Sequence, residues 1–147
     1  MKKSLSEKLA DNLAYYINKP ERRCIDGADG CYYSGESLAH QGKKTSGCFV
    51  GRLLSPQDRM KADKSLDEIA SGNTTVEGLV MSADELGIKI PKIISDNVSV
   101  MMKFQFLHDT PDFWDEKGLK EGGKTMLINI IKDYELEKKY FDKFLVD

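Results

Sequence analysis

The sequence predicts an α+β fold: a mainly helical single domain with one small antiparallel β-hairpin and a long C-terminal amphipathic helix. Three observations predict it. Apolar residues recur at helical spacing near both ends of the chain. The stretch from Arg22 to Leu54 is dense in Gly, Asp and Ser and carries two short aromatic or β-branched pieces. Between that stretch and the last helix, Ser-Pro and Ser-Ala-Asp starts and a glycine stop mark further helices.

Taken in order, the first element is a helix. Ser4 and Glu7 have capping-box spacing, so the serine can satisfy an otherwise orphan amide of the first turn. Leu5, Leu9, Leu13, Tyr16 and Ile17 then share one face, and Pro20 ends the run. Cys31-Tyr32-Tyr33 and Cys48-Phe49-Val50 have strand composition and predict the two arms of a hairpin, with a long polar connection around His40. Asp26-Gly27 and Asp29-Gly30 supply turns before it. Ser55 followed by Pro56 predicts a helix start, with the helix running through Arg59 and Met60.

Thr75 to Leu79 predicts a short strand or a turn, and Ser82 to Gly87 a short helix closed by its glycine. The segment VSVMMKFQF, residues 98–106, alternates as a strand does, yet its wider window from Ile93 suits a buried helix; the periodicity leaves both open. Asp112 to Glu116 reads as a loop or single turn. From Leu127 through Ile130, Ile131, Tyr134, Phe141 and Phe144-Leu145 the spacing predicts one long helix, with Lys132, Asp133, Glu137 and Lys138 outside.

The formal net charge of −2 argues against nucleic acid or an anionic membrane as partner for the chain as a whole. No apolar run approaches a membrane span, and the polar residues after Lys2-Lys3 do not read as a secretory signal. An odd number of cysteines, Cys24, Cys31 and Cys48, suits reduced thiols. A cytoplasmic protein without a cofactor is the expectation.

Gly118 to Thr125, GLKEGGKT, matches the phosphate-loop pattern G-x-x-x-x-G-K-[ST]. Its context argues against nucleotide hydrolysis. Four of the six residues before Gly118 are charged, so no buried strand leads in, and the residues after Thr125 read as one helix with no strand to bring a magnesium-binding carboxylate. Gly122-Gly123 then reads as a flexible entry to the last helix. A helix start with Lys124 beside it can still hold an anion.

Three other groupings carry chemistry. Cys24, Cys31, His40 and Cys48 have the ligand types of a structural zinc site, but their even six-to-eight-residue gaps are not those of zinc knuckles. Cys48 with His108 and Asp109 has the types of a thiol hydrolase, although adjacent His and Asp are not expected to orient each other. Arg52, at a strand-to-helix corner, suits a carboxylate or phosphate, with Tyr32, Tyr33 and Phe49 near it as flat faces.

Cys31-Tyr32, the polar loop, Gly47-Cys48-Phe49-Val50-Gly51-Arg52-Leu53-Leu54 and the later Leu107-His108-Asp109 with Gln105 resemble a family of small phage and bacterial proteins. Its pattern is C-x-Y, a loop, then G-x-x-C-x-[IV]-G-x-L, followed by a helical L-Q-x-x-H-D segment, and the resemblance implies helix for residues 98–106. The resemblance covers about residues 5–115. It carries no catalytic residue over, and it implies a phage-type origin and action on host machinery or host defence. The functional expectation is a non-enzymatic protein of the host cytoplasm. It sequesters a small anionic ligand, such as an immune signalling nucleotide, or grips a host protein, and it forms a homo-oligomer. Arg52, Tyr32, Tyr33, Phe49 and Lys124 are its binding residues. The cysteine hydrolase and the zinc-stabilised interaction module are the alternatives.

Overall fold

The computed structural model describes residues 3–20, 25–26, 30–31, 48–68 and 76–146. Helix α1, Leu5–Asn18, begins where the Ser4 hydroxyl accepts the Glu7 amide at 3.2 Å. Leu9, Leu13 and Tyr16 are fully buried, with Leu5 and Ile17 packed at the margin of the core. Two-residue strands β1, Ile25–Asp26, and β2, Gly30–Cys31, pair antiparallel, with Ile25 opposite Cys31. Helix α2, Pro56–Glu68, starts at Ser55, whose hydroxyl accepts the Asp58 amide at 3.2 Å. Then come α3, Val76–Leu86, the single turn α4, Lys92–Ser95, and α5, Val98–Asp109. A second antiparallel pair follows, β3, Trp114–Asp115, with β4, Gly118–Leu119. The described chain closes with α6, Glu121–Asp133, and the short α7, Asp142–Leu145. Helices dominate and the sheets are small, as an α+β class requires. Helix α5 lies centrally, packed against both α3 and α6.

A column of aromatic rings runs through the core. Tyr16 stacks on Phe49 at 6.4 Å, Phe49 on Phe104 at 5.0 Å, and Phe104 on Phe141 at 6.1 Å. It joins α1, the 48–50 turn, α5 and the C-terminal segment. Each such ring contributes roughly 1.5–3 kcal/mol through burial, and ring pairs about 0.5–1.5 kcal/mol more.

Residues 98–106 form the expected helix. Buried Val100, Met101, Phe104, Leu107 and His108 follow the helical period, while Met102 and Phe106, on the alternating register of a strand, are exposed. Val76–Leu79 is neither strand nor turn but the start of α3. Gly78 inside a helix costs about 0.5–1 kcal/mol against alanine, which burial of Val76 and Leu79 offsets. Gly87 closes α3 as expected, at φ +69°, with its amide bonded to Asp84 and the Ile88 amide to Ala83.

Cys48-Phe49-Val50 is not a strand. It is a turn leading into a 3-10 segment, Gly51–Leu53, closed by Arg52 N to Cys48 O at 2.9 Å and Leu53 N to Val50 O at 3.0 Å. Cys31 pairs with Ile25 rather than with this segment. The physical reason is that side chains take the place of a ladder. Asn12 Nδ2 donates to Phe49 O at 2.8 Å, and Val50 N donates to Gln105 Oε1 at 3.0 Å. The buried backbone is thereby satisfied without a partner strand.

The C-terminal helix is shorter than its periodicity implies. It stops at Asp133, because Glu135 adopts φ +52°. Glu135 N then bonds Lys132 O at 3.3 Å and Leu136 N bonds Ile131 O at 2.9 Å, the Schellman pattern. A continuous helix would carry Phe141 about 12 Å beyond Asp133 at 1.5 Å per residue. The break turns the chain back so that Phe141 and Phe144 are buried. Glu137 N donates to Ser6 Oγ at 2.8 Å, tying the returning chain to α1.

Candidate functional site

Asn12 is a buried amide on the apolar face of α1, and both ends of it are used. Its Nδ2 holds Phe49 O, and its Oδ1 accepts from Arg52 Nη1 at 2.8 Å. The Arg52 guanidinium also lies 3.8 Å above the Tyr15 ring. A cation does sit beside a flat ring at the corner where the 48–53 segment turns toward α2. The ring is Tyr15 of α1, and the bonds lock Arg52 to α1. Phe49 is corrected as a ligand face: it is fully buried between Tyr16 and Phe104. Tyr32 and Tyr33 lie outside the described residues.

The thiol and histidine are both inside. Cys48 is 1% exposed and its Sγ accepts the Gly51 amide at 3.3 Å. His108 is 0% exposed, with Nδ1 2.7 Å from Asp109 Oδ1 and its ring edge-on to Tyr16 at 4.7 Å. Adjacent His and Asp therefore do pair, contrary to the sequence expectation. Nδ1 is the ring nitrogen nearer the backbone, so a carboxylate on the next helical residue reaches it. The same Oδ1 accepts Gln105 Nε2 at 2.8 Å. Through Gln105 the pair is bonded onward to Val50 N, so it ties α5 to the 48–53 turn. The substrate-accessible nucleophile of a thiol hydrolase is not what this geometry offers.

Of the candidate zinc ligands, Cys24 and His40 lie outside the described residues and Cys31 is placed by its backbone only. Among the described residues no group of three or more His, Cys, Asp or Glu side chains gathers as a metal site would.

Lys124 belongs elsewhere, in a cleft that does not include Arg52. The GLKEGGKT segment is not a phosphate loop: Gly118-Leu119 is itself a strand, Lys120 caps α6, and Gly122 and Gly123 already lie in the first helical turn. Gly123 is required by packing rather than by flexibility. A Cβ there would fall 2.5 Å from Phe113 O and 2.8 Å from Leu119 Cδ2. The close approach of α6 to the β3–β4 hairpin forms one wall of a cleft of about 500 Å³. Ile17, Leu119, Phe144 and Val146 are its apolar lining residues. Lys117, Lys120, Lys124 and Lys143 also line it, together with Asp115 and Glu121. Among the described residues, none of Lys117, Lys120 and Lys143 has an ion-pair partner within 4 Å.

No known family model, curated protein or solved structure matches the chain. Among the described residues no helix is long and apolar enough to cross a membrane.

Sequence reasoning named Lys124 but not Lys117, Lys120 or Lys143, which reach it from the hairpin, the helix start and α7. It also missed Asn12 and Tyr15. For Asn12 a signal was available: a short amide set among Leu9, Leu13 and Tyr16 on a core-facing stripe must find internal partners. Nothing in the sequence brings Lys143 into one cleft with Lys120, since that placement depends on the break at Glu135.

Proposed function

We propose that the protein is a non-enzymatic binding protein for a small anionic ligand, held in the lysine-lined cleft at the start of α6. The observation that carries the reading is that four lysines and the apolar Ile17, Leu119 and Phe144 line one cleft of about 500 Å³, on a chain whose formal net charge is −2. A cleft lined by one dominant sign of charge concentrates ligands of the other sign. Its size falls within the range of small-molecule sites, about 300–1,000 Å³. The first turn of α6 adds the positive end of a helix dipole, with no side-chain cap competing for its amides. The buried Cys48 and His108 favour holding over cleaving. A phage-type origin, which the motif around Cys31 and Cys48 implies, would place such sequestration in counter-defence or host takeover, with a host signalling nucleotide as ligand.

Thermal unfolding of the full chain in a panel of inorganic phosphate, pyrophosphate and mononucleotides tests this, with mass spectrometry of the recovered ligand. A ligand at a hundred times its Kd stabilises by about 2.7 kcal/mol, which raises Tm by about 5–10 °C at this chain length. The rise should shrink in Lys120→Ala and Lys143→Ala and with added salt. A panel that moves Tm equally in the parent and both lysine variants would remove the cleft from consideration. Recovery of cleaved ligand would make the protein an enzyme.

A further inference from the structure

Arg52 is a cation that the fold holds in place and leaves without a counter-charge. Its Nη1 donates to Asn12 Oδ1 at 2.8 Å, and its guanidinium lies 3.8 Å over the Tyr15 ring. Neither partner is an anion. Among the described residues no carboxylate stands within 4 Å of it. Arg52 is half-buried, yet its Nε and Nη2, which make no hydrogen bond within the protein, are not buried. We infer that Arg52 and the face of α1 beside it form a second binding site, separate from the lysine cleft, for an extended acidic segment of a partner protein.

The bond to Asn12 decides which edge of the guanidinium is offered. A guanidinium carries five N–H donors in one plane, and the Nε and Nη2 donors run parallel as a fork. With Nη1 tied to Asn12, that fork is left, and it matches the two oxygens of a carboxylate. Tyr15 covers one face of the plane, and a bidentate carboxylate approaches within the plane. Because Asn12 and Tyr15 already fix the arginine, little side-chain freedom is lost on binding.

The neighbouring charges set the length of the ligand. Lys8, Asn12 and Tyr15 share one face of α1, and Lys19, its C-cap, follows four residues after Tyr15. Lys8 and Lys19 are exposed and, among the described residues, have no ion-pair partner. Asp11, at the margin of this face, is already paired with Lys3 at 2.6 Å. Along the axis Lys19 lies about 6 Å beyond Tyr15 and Lys8 about 10 Å before it. Side chains on one side of an extended chain recur at about 6.6 Å. Carboxylates two residues apart on such a segment therefore meet Arg52 and Lys19 together, and one further back meets the long arm of Lys8. Single-stranded nucleic acid also presents a row of anions, but it is held by exposed rings under its bases, and the ring here is covered by the guanidinium.

Fluorescence anisotropy of the full chain with three labelled probes tests the assignment: a short peptide alternating glutamate and serine, the same peptide with glutamine for glutamate, and a short oligothymidylate. Each is titrated into the parent, Arg52→Lys, Lys8→Ala, Lys19→Ala and Lys120→Ala. The acidic peptide should bind the parent about tenfold or more tightly than its glutamine counterpart. Arg52→Lys keeps the charge and removes the fork, so it should weaken that binding about tenfold. Lys8→Ala and Lys19→Ala, on exposed side chains, should each weaken it about two- to fivefold, and they decide the matter if Arg52→Lys unfolds. Lys120→Ala should leave it unchanged. An acidic peptide that binds no better than the glutamine peptide, or equally well to the parent and the variants at 8, 19 and 52, overturns the site. Oligothymidylate as the tightest probe, weakened by Arg52→Lys, overturns the assignment to a protein partner. Binding lost in Lys120→Ala alone overturns the second site and leaves the lysine cleft standing.

Discussion

Replacing each of the two neighbouring glycines of GLKEGGKT by alanine should move stability in opposite directions. Both lie in the first turn of α6, and alanine in a helix is favoured over glycine by about 0.5–1 kcal/mol. At Gly122 the new Cβ would stand 3.5 Å from Phe113 Cδ1, an ordinary contact, so Gly122→Ala should stabilise by about 0.5 kcal/mol. At Gly123 it would stand 2.5 Å from Phe113 O and 3.0 Å from Phe113 Cβ. The carbonyl cannot simply move aside, because it accepts the Lys120 amide at 2.8 Å and so joins the turn before β3 to the residue that caps α6. Overpacking costs about 1–3 kcal/mol, and weakening that hydrogen bond adds to it. Gly123→Ala should therefore destabilise by about 2 kcal/mol or more. At this chain length that is a drop in Tm of about 4–8 °C. Urea unfolding with comparison of m-values gives the free energies. Gly123→Ala as stable as the parent at an unchanged m, or Gly122→Ala as damaging as Gly123→Ala, would refute the packing account. It would return these glycines to the role of a flexible loop.

Two further outcomes follow from the same reasoning. Glu135→Gly should raise stability by about 0.5–1 kcal/mol in urea unfolding, since a left-handed non-glycine residue costs about 1–2 kcal/mol and glycine returns part of that as chain entropy; a loss of stability would mean that the glutamate side chain holds the turn. Asn12→Ala should destabilise by about 1–3 kcal/mol by leaving Phe49 O without its donor, and chemical shifts or fluorescence reporting on Tyr15 should show Arg52 released; an unchanged midpoint in denaturant would contradict the role given to this amide.

Much of the fold was legible in local chemistry. Ser4 and Ser55 announced the starts of α1 and α2, and Gly87 the end of α3. Each signal acts within one turn of chain, so a sequence contains it complete. The candidate site was legible only at Lys124. The phosphate-loop pattern drew attention to the right eight residues for a reason the structure replaces: its glycines serve helix-to-hairpin contact, and its lysine joins three others.

What the sequence by itself determined was where α1 and α2 begin, where α3 ends and which face of α1 is apolar, because caps and periodicity are local properties of neighbouring residues. Only the tertiary structure decided that Cys48 to Val50 is a turn, that the last helix stops at Asp133, and that Lys117, Lys120, Lys124 and Lys143 share one cleft. The reason is where the bonds come from. The 48–50 backbone is satisfied by Asn12 and Gln105, residues distant in sequence. The break at Glu135 is offset by burying Phe141 and Phe144. Such energies exist only once the elements have met.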